Sequence, residues 1–185
     1  MSTLKTNNLE VVTGSTITSN ANLTLASGKT LTGAAGSITV PGMIIQTVQT
    51  VSRSSVSSTS SSYVEASTNF RASITPIYSD SKLLITATIG LTAYNNSGND
   101  CTAWAKLYDV TNTADIANST SPSRAIDYGN SGTMYSAAHP MILLQDFPNA
   151  NQITITWYYK IATGVSVLAN DDYRTTQIML QEVAQ

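Results

Sequence analysis

Charge is what this chain has least of. Of its 185 residues, 11% are Asp, Glu, Lys or Arg, against ~25% in an ordinary soluble domain. The surface must therefore be built largely from Ser, Thr, Asn and Gln, which lets like chains approach without strong repulsion and suits permanent assembly. Eleven acidic and nine basic residues leave a net charge of −2. No basic tract is present, so the sequence carries no footprint for phosphate neutralisation, and no nucleic-acid partner is expected.

Cysteine and histidine are almost missing. Cys101 stands alone, which excludes an intrachain disulfide and a thiolate zinc site; in a strand-like run it reads as a small core residue. His139 is the single histidine and so the one available base for a Ser-His-Asp site. It is followed by Pro140 and the apolar run Met141–Leu144, at what reads as a strand start, and a structural role fits it. Gly129-Asn-Ser-Gly132 is one residue too short for a nucleophile elbow, and no phosphate-binding Gly-x-x-x-x-Gly-Lys loop occurs. The one adjacent acidic pair, Asp171-Asp172 after Asn170, reads as a turn; calcium would want six to eight oxygens, and no Asp-x-Asp-x-Asp spacing supports it. No enzymatic activity, metal or cofactor is expected. No apolar run approaches the ~18 residues of a membrane helix, and Met1–Asn8 lacks the apolar stretch of a signal peptide. Neither membrane insertion nor N-terminal export is expected.

Residues 1–42 differ from the rest. They contain three charged residues (Lys5, Glu10, Lys29), no aromatic, and short apolar clusters such as Leu9/Val11, Leu23/Leu25 and Ile38/Val40 separated by turn formers. One such chain cannot bury enough surface to stand alone, and its strand edges need covering. Two readings fit: a shaft in which three copies wind about one axis, or an arm that orders on docking to another protein.

From Met43 to Gln185 a period of two dominates. It places Leu83, Ile85, Ala87, Ile89, Leu91 and Ala93 on one face, and Ile153, Ile155, Trp157, Tyr159 and Ile161 on another. Cys101, Ala103, Ala105, Leu107 and Asp109 oppose Trp104, Lys106 and Tyr108, while Ile178, Leu180 and Glu182 oppose Gln177, Met179 and Gln181. Further strands are expected at 43–51, 63–75, 133–145 and 164–169. The Ser-rich run at 52–62 has the composition of a loop or linker, with an exposed strand as the alternative. Eight or so strands without helical period predict an all-β, jelly-roll-like β-sandwich over 43–185.

Nine of the thirteen aromatics are Tyr. Tyr, Asn and Asp meet in three turn segments, Tyr94–Asn95–Asn96, Asp127–Tyr128 and Asp171–Asp172–Tyr173. Turns are where recognition residues are freest to vary, and Tyr offers a flat apolar face with a hydroxyl. These eight residues are the candidate receptor-binding set, with a surface glycan as the candidate ligand.

The chain also resembles a known group. Met1-Ser-Thr-Leu-Lys-Thr-Asn-Asn-Leu9, Leu23-Thr-Leu-Ala-Ser-Gly28, Val40-Pro-Gly-Met-Ile-Ile-Gln46, Ile74-Thr-Pro-Ile-Tyr-Ser-Asp-Ser-Lys-Leu-Leu-Ile85, Leu144-Gln-Asp-Phe-Pro148 and Ile178-Met-Leu-Gln-Glu-Val183, taken as an ordered set, resemble the small tail-fibre-like and knob proteins of bacteriophages, particularly marine and cyanobacterial ones. The resemblance implies a homotrimeric virion protein, made in the host cytoplasm. It implies a shaft at 1–42 attaching to other virion proteins and a jelly-roll knob at 43–185. Such knobs serve at tail tips, where they meet a host surface component, or as head fibres and capsid decoration. No catalytic residue comes with the resemblance.

Overall fold

The computed structural model describes residues 41–94, 101–125, 134–147, 151–163, 166–170 and 175–185; everything expected of residues 1–40 lies outside them. The described residues form twelve strands in order: β1 (Ile44–Ser52), β2 (Val56–Ser58), β3 (Val64–Glu65), β4 (Ala72–Ile74), β5 (Lys82–Tyr94), β6 (Cys101–Asp109), β7 (Ala114–Asp115), β8 (Ser121–Ala125), β9 (Met134–Asp146), β10 (Ile153–Thr163), β11 (Ser166–Ala169) and β12 (Thr176–Val183). Among the described residues, the one helical element is a 3-10 turn, Thr68–Phe70.

All pairing is antiparallel, in two sheets. The first is organised by β5. Its whole length pairs with β9, from Lys82 opposite Asp146 to Tyr94 opposite Met134. Its other edge pairs first with β12 and then with β11. Beyond these lie β1 on β12 and β2 on β11. The second sheet is organised by β10, flanked by β6 on one edge and by β4 and β3 on the other; β8 and β7 pair with the far edge of β6.

The two sheets share one core. Leu83, Ile85, Ile89 and Leu91 of β5, Leu107 of β6, Ile153, Ile155, Trp157 and Tyr159 of β10, and Ile178 and Leu180 of β12 are all buried in it. Large and small residues alternate across strands, with Tyr159 opposite Ala105 and Ile161 opposite Ala103, which lets the aromatics fill the space between sheets without overpacking. The apolar faces expected of β5, β10 and β12, and Ala103, Ala105 and Leu107 of β6, are buried in this core. The result is all-β, consistent with a β-sandwich.

Four expectations change. Within 63–75 the chain is not one strand: Ser67 caps the 3-10 turn by accepting from the Asn69 N–H, and the turn drives Phe70 into the core between β3 and β4. The Ser-rich run is not wholly a loop, since Val56–Ser58 pairs with β11. Its kinks come from Ser hydroxyls that accept backbone N–H groups two residues on, Ser52 from Ser54 and Ser58 from Ser60. β7 and β8 lie where no strand was expected. Pro140 falls in the middle of β9 rather than at its start, a position open to proline because β9 pairs only with β5 among the described residues.

One side chain holds two strand breaks in line. Asn170, buried and left-handed at φ 59°, follows β11. Its amide donates to the Ser52 and Ser54 carbonyls at 3.0 and 3.2 Å, where β1 gives way to β2. Its Oδ1 accepts from Thr176 at 2.7 Å, where β12 begins, and its N–H donates to the Gly90 carbonyl. Asn170→Ala leaves the Ser52 and Ser54 carbonyls and the Thr176 hydroxyl without this partner and puts a Cβ without local hydrogen bonding in the left-handed region, so it should cost about 2–4 kcal/mol. Asn170→Gly removes the same hydrogen bonds without the backbone strain and should cost about 1 kcal/mol less. Urea denaturation of both variants measures this, and equal losses would remove the backbone part of the argument.

Candidate functional site

Of the expected receptor-binding residues, Tyr94 is described; Asn95, Asn96, Asp127, Tyr128, Asp171, Asp172 and Tyr173 lie outside the described residues. Tyr94 is half-buried at the end of β5, opposite Met134 of β9 and Ser166 of β11. Cys101 is opposite Ala125. The residues flanking 95–100 and 126–133 are therefore paired with one another at one end of both sheets. Asn170, which precedes 171–174, bonds instead to Gly90, four residues and about 13 Å back along β5.

The two outer sheet faces have opposite chemistry. On the first sheet the register lays out three rows across four strands: Leu144, Leu84, Gln181 and Thr47; Ile142, Thr86, Met179 and Gln49; Pro140, Thr88, Gln177 and Val51. None of these residues is charged. Ile142 is 73% exposed, Leu144 61% and Val51 54%. Ile142 and Leu144 are neighbours on β9, while Val51 stands at the far edge of these rows on β1. The row beyond holds the Lys82–Asp146 ion pair at 2.6 Å, next to Val183 and Ile44.

On the second sheet the outward positions are aromatic and charged. Tyr158 lies opposite Lys106, and Lys160 opposite Trp104. The Tyr108 and Tyr158 rings stack at 4.3 Å between centroids, tilted 34°. The Tyr63 ring sits beside both ammonium groups, 4.3 Å from Lys106 Nζ and 4.7 Å from Lys160 Nζ. Glu65 and Arg71 form a two-point ion pair at 2.7 and 2.8 Å, and Lys106 pairs with Asp115. Burial first, and then neighbouring carboxylates, push the Tyr63 and Tyr158 phenols above their ordinary range, so both hydroxyls stay protonated at neutral pH. The alternation that turns Trp104, Lys106 and Tyr108 outward was legible in β6. Their cross-strand pairing with β10 was not, because inter-strand register carries no local signal.

A third polar centre is internal. Glu182 of β12 has no solvent exposure. Its carboxylate accepts from the Ile77 and Tyr78 N–H groups at 2.9 Å, from Ser81 Oγ at 2.6 Å and from Gln46 Nε2 at 2.6 Å. Burial pushes its pKa up, but hydrogen bonds from Ser81, Tyr78, Ile77 and Gln46 outweigh this and hold it below the ordinary 4.5. This carboxylate fastens the 75–81 connection, which carries the chain from β4 to β5, and it is a structural anchor. A shallow pocket of about 150 Å³ is lined by Asp109, Asp115 and Asp146 among others, but each carboxylate is engaged. Asp109 accepts from the Thr111 and Asn112 N–H groups, Asp115 pairs with Lys106 and Asp146 with Lys82. Among the described residues no cluster of three His, Cys, Asp or Glu side chains is placed to hold a metal ion.

No protein-family model and no curated protein matches this chain.

A group whose pKa is depressed by folding stabilises the fold above its unfolded pKa, and that stabilisation fades as pH falls through the depressed folded value. The Glu182 contribution is therefore complete at neutral pH and drains away below about pH 4.5. Glu182→Gln puts an amide N–H2 or a neutral oxygen against donors that now serve a charge, and should cost about 3 kcal/mol at pH 7. The gap to the wild type should narrow as both are acidified toward pH 3. Paired denaturation curves at each pH measure the gap, and a constant gap would mean that the carboxylate's charge plays no part.

Proposed function

We propose that the chain is a non-enzymatic structural subunit of a bacteriophage virion, a homotrimeric tail fibre or knob that meets a host surface component. The observation that carries the reading is the uncharged outer face of the first sheet, with Ile142, Leu144 and Val51 standing in solvent. Burying such a face against copies of itself gains about 25 cal/mol per Å² of apolar surface, and a closed cyclic arrangement limits the assembly.

The pairing pattern supports a jelly roll. If β1/β2, β3/β4, β7/β8 and β11/β12 each count as one interrupted strand, eight strands remain, and pairings nest from the outside in. The first lies beside the eighth, the second beside the seventh, the third beside the sixth and the fourth beside the fifth. A long hairpin wound about one core is the two-sheet topology of a jelly roll. The resemblance of the ordered motifs to phage knob proteins supports the virion setting. In this reading residues 1–42 attach the trimer to other virion proteins, and a host glycan is held by the loops carrying Tyr94–Asn96, Asp127–Tyr128 and Asp171–Tyr173. No cofactor, nucleic acid or membrane insertion is involved.

Light scattering of the full chain should give three times the chain mass; a monomer at micromolar concentration rejects the reading. Because Ile142 and Leu144 are already exposed in the single chain, Ile142→Glu with Leu144→Glu should leave the circular dichroism spectrum unchanged while shifting the mass toward monomer. Deleting residues 1–42 should also weaken the trimer. Antibody labelling of virions then separates the two virion roles. Label at the tail tip, with saturable binding of the trimer to cells, supports receptor attachment. Label on the capsid shell, without cell binding, assigns a purely structural role in capsid decoration.

A further inference from the structure

The outer face of the β10–β6 pair gathers cations and aromatic rings side by side. Among the described side chains, this face and its margin hold the cations Arg71, Lys106 and Lys160. Two of the three are neutralised, Arg71 by Glu65 and Lys106 by Asp115. Lys160 meets no carboxylate among the described residues. It lies opposite Trp104 across the strand pair, with Tyr63 on its other side at 4.7 Å. The result is an ammonium beside the Tyr63 ring and across the ladder from Trp104, without a carboxylate partner among the described residues, with Tyr158 on the same strand.

We propose that this face binds an acidic polysaccharide of the uronic-acid class, with a pyranose ring stacked on Trp104 and its carboxylate on Lys160. A pyranose has one face made of C–H groups, which packs on an aromatic ring, and a rim of hydroxyls for hydrogen-bond partners such as phenols. A carboxylate complements Lys160, which meets no carboxylate among the described residues, and forms a charge-assisted hydrogen bond with it. A nucleic acid fits less well: it presents a phosphate at every nucleotide, whereas Glu65 and Asp115 interrupt the cations here. The backbone on which Trp104, Lys160 and Tyr63 stand is fixed by the ladder, so little ordering is needed on binding. The inference rests on the receptor reading above but moves the glycan from the loops to the second sheet: burial of the first sheet's outer face between copies leaves this face outward, and three copies raise avidity.

The test uses the full chain with oligogalacturonate as probe and a neutral dextran fragment of equal length as control. Of the two Trp residues, Trp157 is fully buried, so intrinsic fluorescence reports on Trp104. The expected result is a saturable fluorescence change with oligogalacturonate that weakens as salt is raised, and none with dextran. Lys160→Gln should weaken binding about tenfold, the loss of one charge-assisted contact. Trp104→Phe should abolish the fluorescence change while calorimetry still detects binding. Equal binding of dextran, or no saturable binding by a sample that is trimeric in light scattering, overturns the proposal and leaves the assembly reading intact. Binding that survives Lys160→Gln but is lost on replacing Tyr94, Tyr128 and Tyr173 by Ala overturns it in favour of the loops. A monomeric sample that binds with the stated Lys160 dependence supports the glycan face and overturns the trimer.

Discussion

The thirteen residues of β5 have both of their edges occupied, and the first sheet is arranged around that fact. One edge is taken along its full length by β9; the other is divided between β12 and β11. A strand paired on both sides and carrying Leu83, Ile85, Ala87, Ile89, Leu91 and Ala93 into the core has no freedom of register, because a slip of one residue would exchange that apolar set for Leu84, Thr86, Thr88 and Thr92. The break between β11 and β12 must then be matched by a break in the next column, between β1 and β2. The fold meets this requirement with Asn170, whose short amide reaches across both interruptions. With Cys101 the lone cysteine, no disulfide within the chain shares this task, and hydrogen bonds to buried polar groups carry it.

Glu182 does for the crossing between sheets what Asn170 does for the break within one. The segment from Thr75 to Ser81 leaves the second sheet and enters the first, and its N–H groups at Ile77 and Tyr78 point at one carboxylate. A buried charge is tolerable only when its acceptor capacity is filled, and here the donors come from two separate stretches: β1 and the crossing with its last residue, Ser81. The arrangement makes position dependent on completeness. Withdrawal of any donor leaves a buried anion partly unsatisfied, which is more costly than the loss of one neutral hydrogen bond.

The alternation of β5, β6, β10 and β12 was readable because each has one face in the core and one outside, so that periodicity records the fold directly. It also put Glu182 and Asp109 on the core face without saying why a carboxylate should be there. The answer lies in partners distant in sequence, 105 residues away for Ile77 and 136 for Gln46. β8 left no trace, since Ser121–Ala125 contains Pro122, Ser and Arg124 in place of an apolar alternation, and it pairs with a neighbour along one edge only. The Ser-rich run was ambiguous for a related reason: a hydroxyl can satisfy a local N–H or leave it to a ladder, and composition does not say which. Within the candidate sites, outward orientation of Trp104 and Lys106 could be read from one strand, whereas the meeting of Lys160, Tyr63 and Trp104 depends on three strands arriving in register. Tyr94 was correctly set at a strand end; the other seven loop candidates lie outside the described residues.

The edges of the two sheets bear on how copies of the chain can associate. A free strand edge invites further strands and open-ended growth. On one side of the molecule the edges are stitched to each other, Thr50 Oγ1 donating to the Arg71 carbonyl at 2.8 Å and Gln46 Nε2 to the Thr75 carbonyl at 2.6 Å, so β1 and the β4 segment cover one another. On the other side β8 and β9 each pair along one edge among the described residues, and each contains a proline, Pro122 and Pro140, which has no N–H to offer an added strand. Edge-to-edge addition is thus disfavoured on both sides, while Ile142, Leu144 and Val51 remain exposed on the broad face. Association through that face rather than an edge would bury side chains instead of extending a ladder, and a cyclic arrangement of such contacts is closed. The low charge of the chain fits the same arrangement. The three rows of this face hold no charged residue, whereas Lys106, Lys160 and Arg71 lie on the second sheet and its margin, so packing through the first face would bury no ion of those rows.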